Sequence, residues 1–290
     1  MHDYWQVLLN ALPSISGEFL GRVLAVLIGA FAGAYAANWF AFRKARIERN
    51  TAELLAINAA TSMTFGILND ACSFKDQYGR RTVENFRASK KHYLSALQNP
   101  PPGKQIDVAL EFYQLSHFKT PIEKLYDLCM SEMNMTGIGL HAVSVLSQSL
   151  ESFRTSLDGR NQAAERLEKT QLPPDERAYR YFGINTGSGV YDTRFSDSIE
   201  GLEHSLDSVI YCCCFLIGQL ARIGEPVEKR IGKNGPRLRR TEIKGIEADS
   251  DLFPERSGFP DFEKALENQN ESEEKSRRSW FPFFGKSKGK

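Results

Sequence analysis

Apolar residues dominate one stretch near the start of the chain, from Val23 to Phe42. These twenty residues contain a single strongly polar side chain, Asn38. At about 1.5 Å of rise per residue a helix of this length spans roughly 30 Å, the thickness of a bilayer core. Aromatic residues gather at its C-terminal end, as at a membrane interface. We therefore predict a single transmembrane helix over 20–42, preceded by an extracytoplasmic segment, 1–19, that forms an interfacial helix or an unstructured tail.

Basic residues follow the apolar stretch directly, at Arg43, Lys44, Arg46 and Arg49. Positive charge is retained on the cytoplasmic side, so the pattern predicts an inner (plasma) membrane protein with its N-terminus outside and its C-terminal domain in the cytoplasm. Two alternatives stay open. Ala34-Tyr35-Ala36 resembles a signal-peptidase site, which would make the stretch a cleaved export signal. The stretch could also be a buried core helix.

Small residues recur every four positions through the apolar stretch. Gly29 and Gly33 form a GxxxG motif, flanked in the same register by Ala25 and Ala37. Small side chains allow two helix backbones to approach closely in lipid. The motif predicts helix–helix packing in the membrane through these four residues and hence a homodimer, although GxxxG also arises by chance in spans.

Helical periodicity predicts an all-α cytoplasmic region over 43–228, folded as an antiparallel bundle. No Pro or Gly lies between Arg43 and Phe65, so the span should run on as one helix with a coiled-coil-like seam. Asn58 in this seam either fixes the register between paired helices or, as is more common, faces another helix of its own domain or water. The other helices are predicted at 80–98, 104–118, from Thr120-Pro121-Ile122-Glu123 onward, 139–170 and 195–223. In the helix that begins at Thr120, Thr, Pro and Glu match a capping box.

Residues 173–195 lack helical periodicity, and we predict a hairpin-like loop there. As a recognition loop it would present Arg177, Arg180 and Arg194, with Tyr181, to an acidic or phosphate group of a partner or a lipid. As a structural element it would simply pack as a lid on the bundle.

The net charge of +1 conceals charge blocks in the tail, 229–290, which we predict to be disordered. Seven bases stand in 229–244, ten acids in 247–274 and six bases in 275–290. The last block joins aromatic residues to lysines, a composition that suits anionic lipid or a groove on a partner protein. The residues concerned are Trp280, Phe281, Phe283, Phe284 and Lys286.

Catalytic, metal, cofactor and nucleic-acid motifs are not recognisable in the sequence. The five cysteines are odd in number and irregular in spacing, which fits buried thiols in a reducing compartment better than disulfides. We therefore predict a non-enzymatic scaffold, regulator or signal-coupling protein that works through protein–protein contacts. The rival hypotheses are a membrane-disrupting effector of a defence or toxin system and a membrane-tethered enzyme.

Overall fold

The regular structure is helical throughout the part of the chain that the structure describes. This computed structural model describes residues 17–99, 106–133, 135, 137–185, 191–233, 235–241, 252–264 and 267–268. The prediction of an all-α protein is confirmed for these residues.

Helix α1, Gly17–Phe74, contains the apolar stretch and continues past it without a break. A π-helical turn, Lys75–Gly79, joins α1 to α2, Arg80–Gln98. The residues at both joints keep right-handed helical backbone angles, so the three pieces form one helical run. The predicted continuation of the apolar helix into the following region is therefore present as helical geometry.

The predicted helix over 104–118 is absent, because residues 106–121 have no regular secondary structure. Ile106, Val108, Leu110 and Phe112 are partly buried, and Asp107 and Ala109 between them are exposed, so this segment begins with a period of two. Its backbone groups bond to side chains instead of to each other. The Leu115 N–H donates to Asn161 Oδ1 at 3.0 Å, and Asn161 Nδ2 donates to the Leu115 carbonyl at 2.8 Å.

Helix α3, Ile122–Asp127, begins close to the predicted boundary but without the predicted cap. Its first turn has no side-chain capping hydrogen bond. Thr120 instead accepts a hydrogen bond from Arg154 Nη2 at 3.0 Å, which ties the start of α3 to a neighbouring helix. A second π-helical turn, Leu128–Glu132, follows α3.

Two long helices lie where they were predicted, and the second extends eight residues past its predicted end. Helix α4 spans Ile138–Lys169 and helix α6 spans Arg194–Ile231. Between them lies α5, Pro174–Phe182, where we predicted a hairpin. Its sequence carries the ordinary signs of a short helix: Pro at the first position, two acids in the first turn, and Gly183 in the left-handed conformation at its end (φ 60°).

Helix α6 is the centre of the packing and contacts both other long helices. It runs antiparallel to the α1–α2 run: Phe195 contacts Phe86, Leu206 lies against Gly79, and further along Gly224 faces Ile57. Both helices advance 29 residues between the first and last of these contacts, so they lie side by side over that whole length. Helix α4 lies antiparallel to α6 as well, with Gly201 beside Ser156 and Ser198 beside Gly159.

Part of the predicted disordered tail is packed against these helices. Helix α6 itself extends to Ile231, three residues past the predicted end of the bundle. Residues 235–241 lie across α1, where Asn58 Nδ2 donates to the Arg237 carbonyl at 2.9 Å and the Arg239 N–H donates to Asn58 Oδ1 at 2.7 Å. Asn58 therefore holds this arm and not a partner helix. Residues 252–264 lie across α6 and are called here the C-terminal strap.

Candidate functional site

The N-terminal part of α1 projects from the core with no covering from the rest of the described chain. Every residue from 21 to 49 is exposed, and burial begins at Asn50. The exposed side chains include large apolar ones, such as Val26, Phe31 and Tyr35, each more than 70% accessible. This projecting part, residues 21–49, is termed the apolar overhang.

The apolar overhang is long and apolar enough to cross a membrane, and so is α6. The two differ in their surroundings. None of the most apolar window of the first helix is buried, whereas 61% of that of α6 is buried within the protein. Helix α6 already has packing partners for its apolar face, and the overhang has none among the described residues.

The four small residues predicted to pack against another helix lie within the apolar overhang. Ala25, Gly29, Gly33 and Ala37 are exposed. A methyl group built onto Gly29 or Gly33 would meet no other atom within 4 Å. The fold therefore does not require glycine at either position for its own internal packing.

An aromatic and basic boundary marks the end of the apolar overhang nearest the core. The rings of Trp39 and Phe40 contact edge to face at 5.1 Å, and the Arg43 guanidinium lies over the Trp39 ring at 5.4 Å. Lys44 and Glu48 come only within 3.9 Å of each other and are well exposed. Such an exposed pair contributes little, so the positive charge of this boundary remains available to a surface.

The three recognition residues predicted in 177–181 all lie on α5, and they point to different surroundings. Arg177 lines a cavity of about 500 Å³ that it forms with the extended segment 106–112, and it donates to the Thr170 carbonyl at 3.3 Å. Arg180 faces another, smaller cavity and pairs with Glu176 at 2.5 Å. Tyr181 is only 3% exposed and stacks on Phe195 at 4.2 Å, so it is a core residue and not a surface contact in this structure.

A fully buried arginine, Arg160, is the polar centre of the core around α5 and was not among the predicted site residues. Its guanidinium lies over the Tyr113 ring at 4.7 Å and near the Phe195 ring at 5.7 Å, and it donates to the Tyr113 carbonyl. Burial lowers the pKa of Arg160, and its Nε and Nη2 atoms have no hydrogen-bond partner among the described residues. The sequence feature that could have predicted burial of Arg160 is its spacing, because it lies on the same helical face as the buried Leu157 and Ala164.

The C-terminal strap is held to α6 mainly by aromatic contacts. The Phe259 ring stacks on Tyr211 at 3.9 Å, and Phe262 contacts the Phe215 ring at 4.9 Å. The Tyr211 hydroxyl donates to Glu263 Oε1 at 2.9 Å. At the other end Lys75 joins the strap to the helices, because its Nζ donates to the Leu252 carbonyl at 3.0 Å and to Asp207 Oδ1 at 2.7 Å.

The predicted lipid or partner contacts at the C-terminus lie outside the described residues. These are Trp280, Phe281, Phe283, Phe284 and Lys286.

Thiol and metal chemistry has little support in the described part of the chain. Burial raises the pKa of the Cys72 thiol to about 11 and the pKa values of the Cys129 and Cys212 thiols to about 12. Neutral thiols are poor nucleophiles and poor metal ligands. No group of three or more His, Cys, Asp or Glu side chains among the described residues is arranged to hold a metal ion.

Comparisons with protein-family models, with curated proteins and with solved structures found no match to this chain.

Proposed function

We propose that this protein is a single-pass, membrane-anchored scaffold, regulator or signal-coupling protein. In this proposal residues 20–42 cross the inner (plasma) membrane, the N-terminus lies outside, and the helical region binds protein partners in the cytoplasm. Its role is non-enzymatic.

The observation that carries the proposal is the apolar overhang joined without a break to the packed core. Burial of one large apolar side chain is worth about 1.5–3 kcal/mol. Eleven large apolar side chains from Val23 to Ile47 are exposed. Their combined preference for apolar surroundings exceeds the total stability of a typical domain, about 5–15 kcal/mol. A bilayer supplies such surroundings over the length that the helix provides.

Charge supports the proposed orientation. The basic side chains from Arg43 to Arg49 follow the apolar residues and are exposed. Positive charge close to a span is retained in the cytoplasm, which places the packed core on that side.

Helical continuity supports coupling between the membrane and the core. Motion of the overhang reaches the packed residues Leu54 and Ile57 through a stretch with no Gly or Pro from Arg43 to Phe65. Pairing of two spans through Gly29 and Gly33 would then change how α1 sits against α6. Contact of the C-terminal residues 280–286 with anionic lipid would give the protein a second attachment.

Anchoring is tested by washing membranes that contain the full chain with alkaline carbonate. The double variant Ile28→Arg/Phe31→Arg should move into the soluble or aggregated fraction, because each central arginine costs about 2.5–3.5 kcal/mol in a span. Leu55→Arg is the matched control, since Leu55 is an exposed apolar residue on the same helix beyond the overhang. Extraction of the parent chain by carbonate would refute the anchor.

Coupling is tested by hydrogen exchange in nanodiscs. A disulfide between two copies of a Gly33→Cys variant forces span pairing, and exchange should change in α6 near Gly224, which faces Ile57 of α1. Two glycines inserted between Arg46 and Arg49 should abolish that change. Seven alanines inserted at the same place nearly preserve helical phase and should retain it. An α6 that exchanges identically with and without the disulfide would contradict coupling.

A further inference from the structure

A small cavity of about 140 Å³ lies where the end of α4, α5 and the start of α6 meet. Three arginines from three different helices line it: Arg166, Arg180 and Arg194. One carboxylate, Asp192, lies among them. The remaining lining is Thr170 and the apolar residues Ala163, Leu167, Leu172 and Phe195. We term it the arginine cavity.

Asp192 takes the place that an anionic ligand would occupy beside these arginines. It accepts hydrogen bonds from Arg194 Nε at 2.9 Å and Nη2 at 2.7 Å, and its side chain is only 18% exposed. The Arg194 hydrogen bonds, with the positive charge of Arg180 behind them, hold the pKa of the Asp192 carboxyl below its usual range. The cavity therefore favours a negative charge at this position.

One of the arginines around the cavity has an unsatisfied donor. The Arg180 Nε is buried and has no partner among the described residues, although its Nη2 pairs with Glu176. Arg166 lines the cavity from an exposed position near the end of α4. Among the described residues, Asp192 is the only carboxylate that lines the cavity, and Glu176 pairs with Arg180 from outside its lining. Three guanidinium groups and these two carboxylates leave one positive charge over, and two when Asp192 moves aside.

The start of α6 adds to the positive potential. Asp192 Oδ1 also accepts the backbone N–H of Arg194 at 3.2 Å, in the first turn of a helix of 38 residues. Free N–H groups and the helix dipole attract anions at such an end.

We propose that the arginine cavity binds the phosphoryl group of a soluble phosphate monoester, which displaces the Asp192 carboxylate from the Arg194 fork. Arginine forks match phosphate oxygens in pairs, which favours phosphate over a simple carboxylate. Pockets for drug-sized ligands measure about 300–1,000 Å³, so the cavity suits a single phosphoryl group and not a whole nucleotide.

The position of the cavity argues against lipid headgroups as the source of the phosphoryl group, a step that rests on the proposed anchor. The cavity lies at Phe195, at the start of α6, whereas Gly224, towards the other end of α6, faces Ile57 of α1 close to the overhang. The intervening 29 residues of helix cover about 44 Å at 1.5 Å per residue. With α1 upright in its membrane, lipid phosphates do not reach the cavity.

The test is isothermal titration of the full chain in detergent micelles with inorganic phosphate and with O-phosphoserine. Arg166→Gln should weaken binding of both probes about tenfold, the usual effect of losing one charge-assisted hydrogen bond. Because Arg166 is exposed, this variant should fold normally, which circular dichroism checks. Lys169→Gln is the matched control: it removes one positive charge from an exposed site of the same helix, outside the cavity, and should change affinity less than about twofold.

A second pair of variants tests the displacement itself. Asp192→Asn should tighten phosphate binding by about threefold or more, because it removes the competing carboxylate. Glu151→Gln makes the same charge change on an exposed, remote part of α4 and should leave affinity unchanged. Equal affinity in the parent and all four variants would overturn the proposal, as would weaker binding by Asp192→Asn or binding only to vesicles containing phosphatidic acid. None of these outcomes bears on the anchor, which the carbonate wash tests separately.

Discussion

The C-terminal strap offers the sharpest test of the packing described above, through the variant Phe262→Ala. Phe262 is only 7% exposed, and its ring lies 4.9 Å from that of Phe215 and 5.7 Å from that of Tyr211. Burial of such a ring is worth about 1.5–3 kcal/mol, and each aromatic contact about 0.5–1.5 kcal/mol. The substitution should therefore remove about 3–5 kcal/mol from attachment of the strap.

The contacts that hold the strap only slightly exceed the entropy cost of ordering it, so this loss should greatly increase the fraction of molecules in which the strap is detached. Ordering the backbone costs about 1–2 kcal/mol for each residue, and the strap has thirteen residues held by a few side chains. A loss of about 3 kcal/mol raises the detached population roughly a hundredfold. The long helices keep their own core, so unfolding of the whole domain should be nearly unaffected.

Limited trypsin digestion measures the detached population directly, because cleavage after Arg256 follows the open state when reclosing is fast. Mass spectrometry should show this bond cleaved about a hundredfold faster in Phe262→Ala than in the parent, with an unchanged urea midpoint for the helices. Asp261→Ala, at the exposed neighbouring position, should cleave at the parent rate. Cleavage less than about threefold faster, or an equal loss of global stability, would refute the reasoning.

Three other perturbations test separate parts of the structure. Gly183→Ala should lower the free energy of unfolding by about 1–2 kcal/mol, because Gly183 is left-handed (φ 60°) and a Cβ there would lie 2.4 Å from Ser196 Oγ. In urea unfolding, the double variant Gly183→Ala/Ser196→Ala should regain only the part of the loss that comes from this clash and should keep the part that comes from backbone strain. The free energy of unfolding should fall as the pH rises from about 9 towards 12, because the fold keeps the Cys129 and Cys212 thiols neutral, each with a pKa of about 12, while the unfolded chain ionises them. Cys129→Ala should therefore flatten the slope of the urea midpoint against pH, and a parent midpoint that stays constant from pH 8 to 10.5 would contradict this account. Gly29→Leu should reduce chemical crosslinking of the full chain in membranes about tenfold relative to Leu55→Ala, and an unchanged dimer yield would remove the glycine face from the proposal.

The sequence predicted the long helices well because one packing pattern dominates each of them. The seam through Phe195, Leu202, Leu216 and Leu220 has a single helical period, and all four side chains are buried. Helix α4 begins and ends within one residue of the predicted 139–170.

The helix predicted over 104–118 was wrong because its apolar pattern fits both a helix and an extended chain. Ile106 and Leu110 are four residues apart, which suits a helix, but Val108 and Phe112 complete an alternation that suits an extended chain. Asn161 then supplies the backbone partners that make the extended form acceptable, and no local pattern reveals a partner about fifty residues away.

The structure brings together two of the three predicted recognition arginines and places Arg177 at a different cavity. Arg180 and Arg194 do come together, but the third member, Arg166, belongs to a helix whose pattern gave no reason to single it out. The strap escaped notice because its phenylalanines lie within an acidic block that also contains Pro and Gly, a composition typical of unstructured chain.

The π-helical turn Lys75–Gly79 is a point at which the first long helical run can rotate about its own axis. A π turn holds about one residue more than an α turn, and one residue corresponds to about 100° of rotation. Conversion of this turn to ordinary α-helix would therefore rotate α2 relative to α1 about the helix axis, while α1 and α2 each kept their own backbone hydrogen bonds. Lys75 lies in that turn, and its Nζ donates hydrogen bonds to Asp207 of α6 and to the Leu252 carbonyl of the strap. A change in winding at the turn would therefore alter the contacts of α1 with both α6 and the strap.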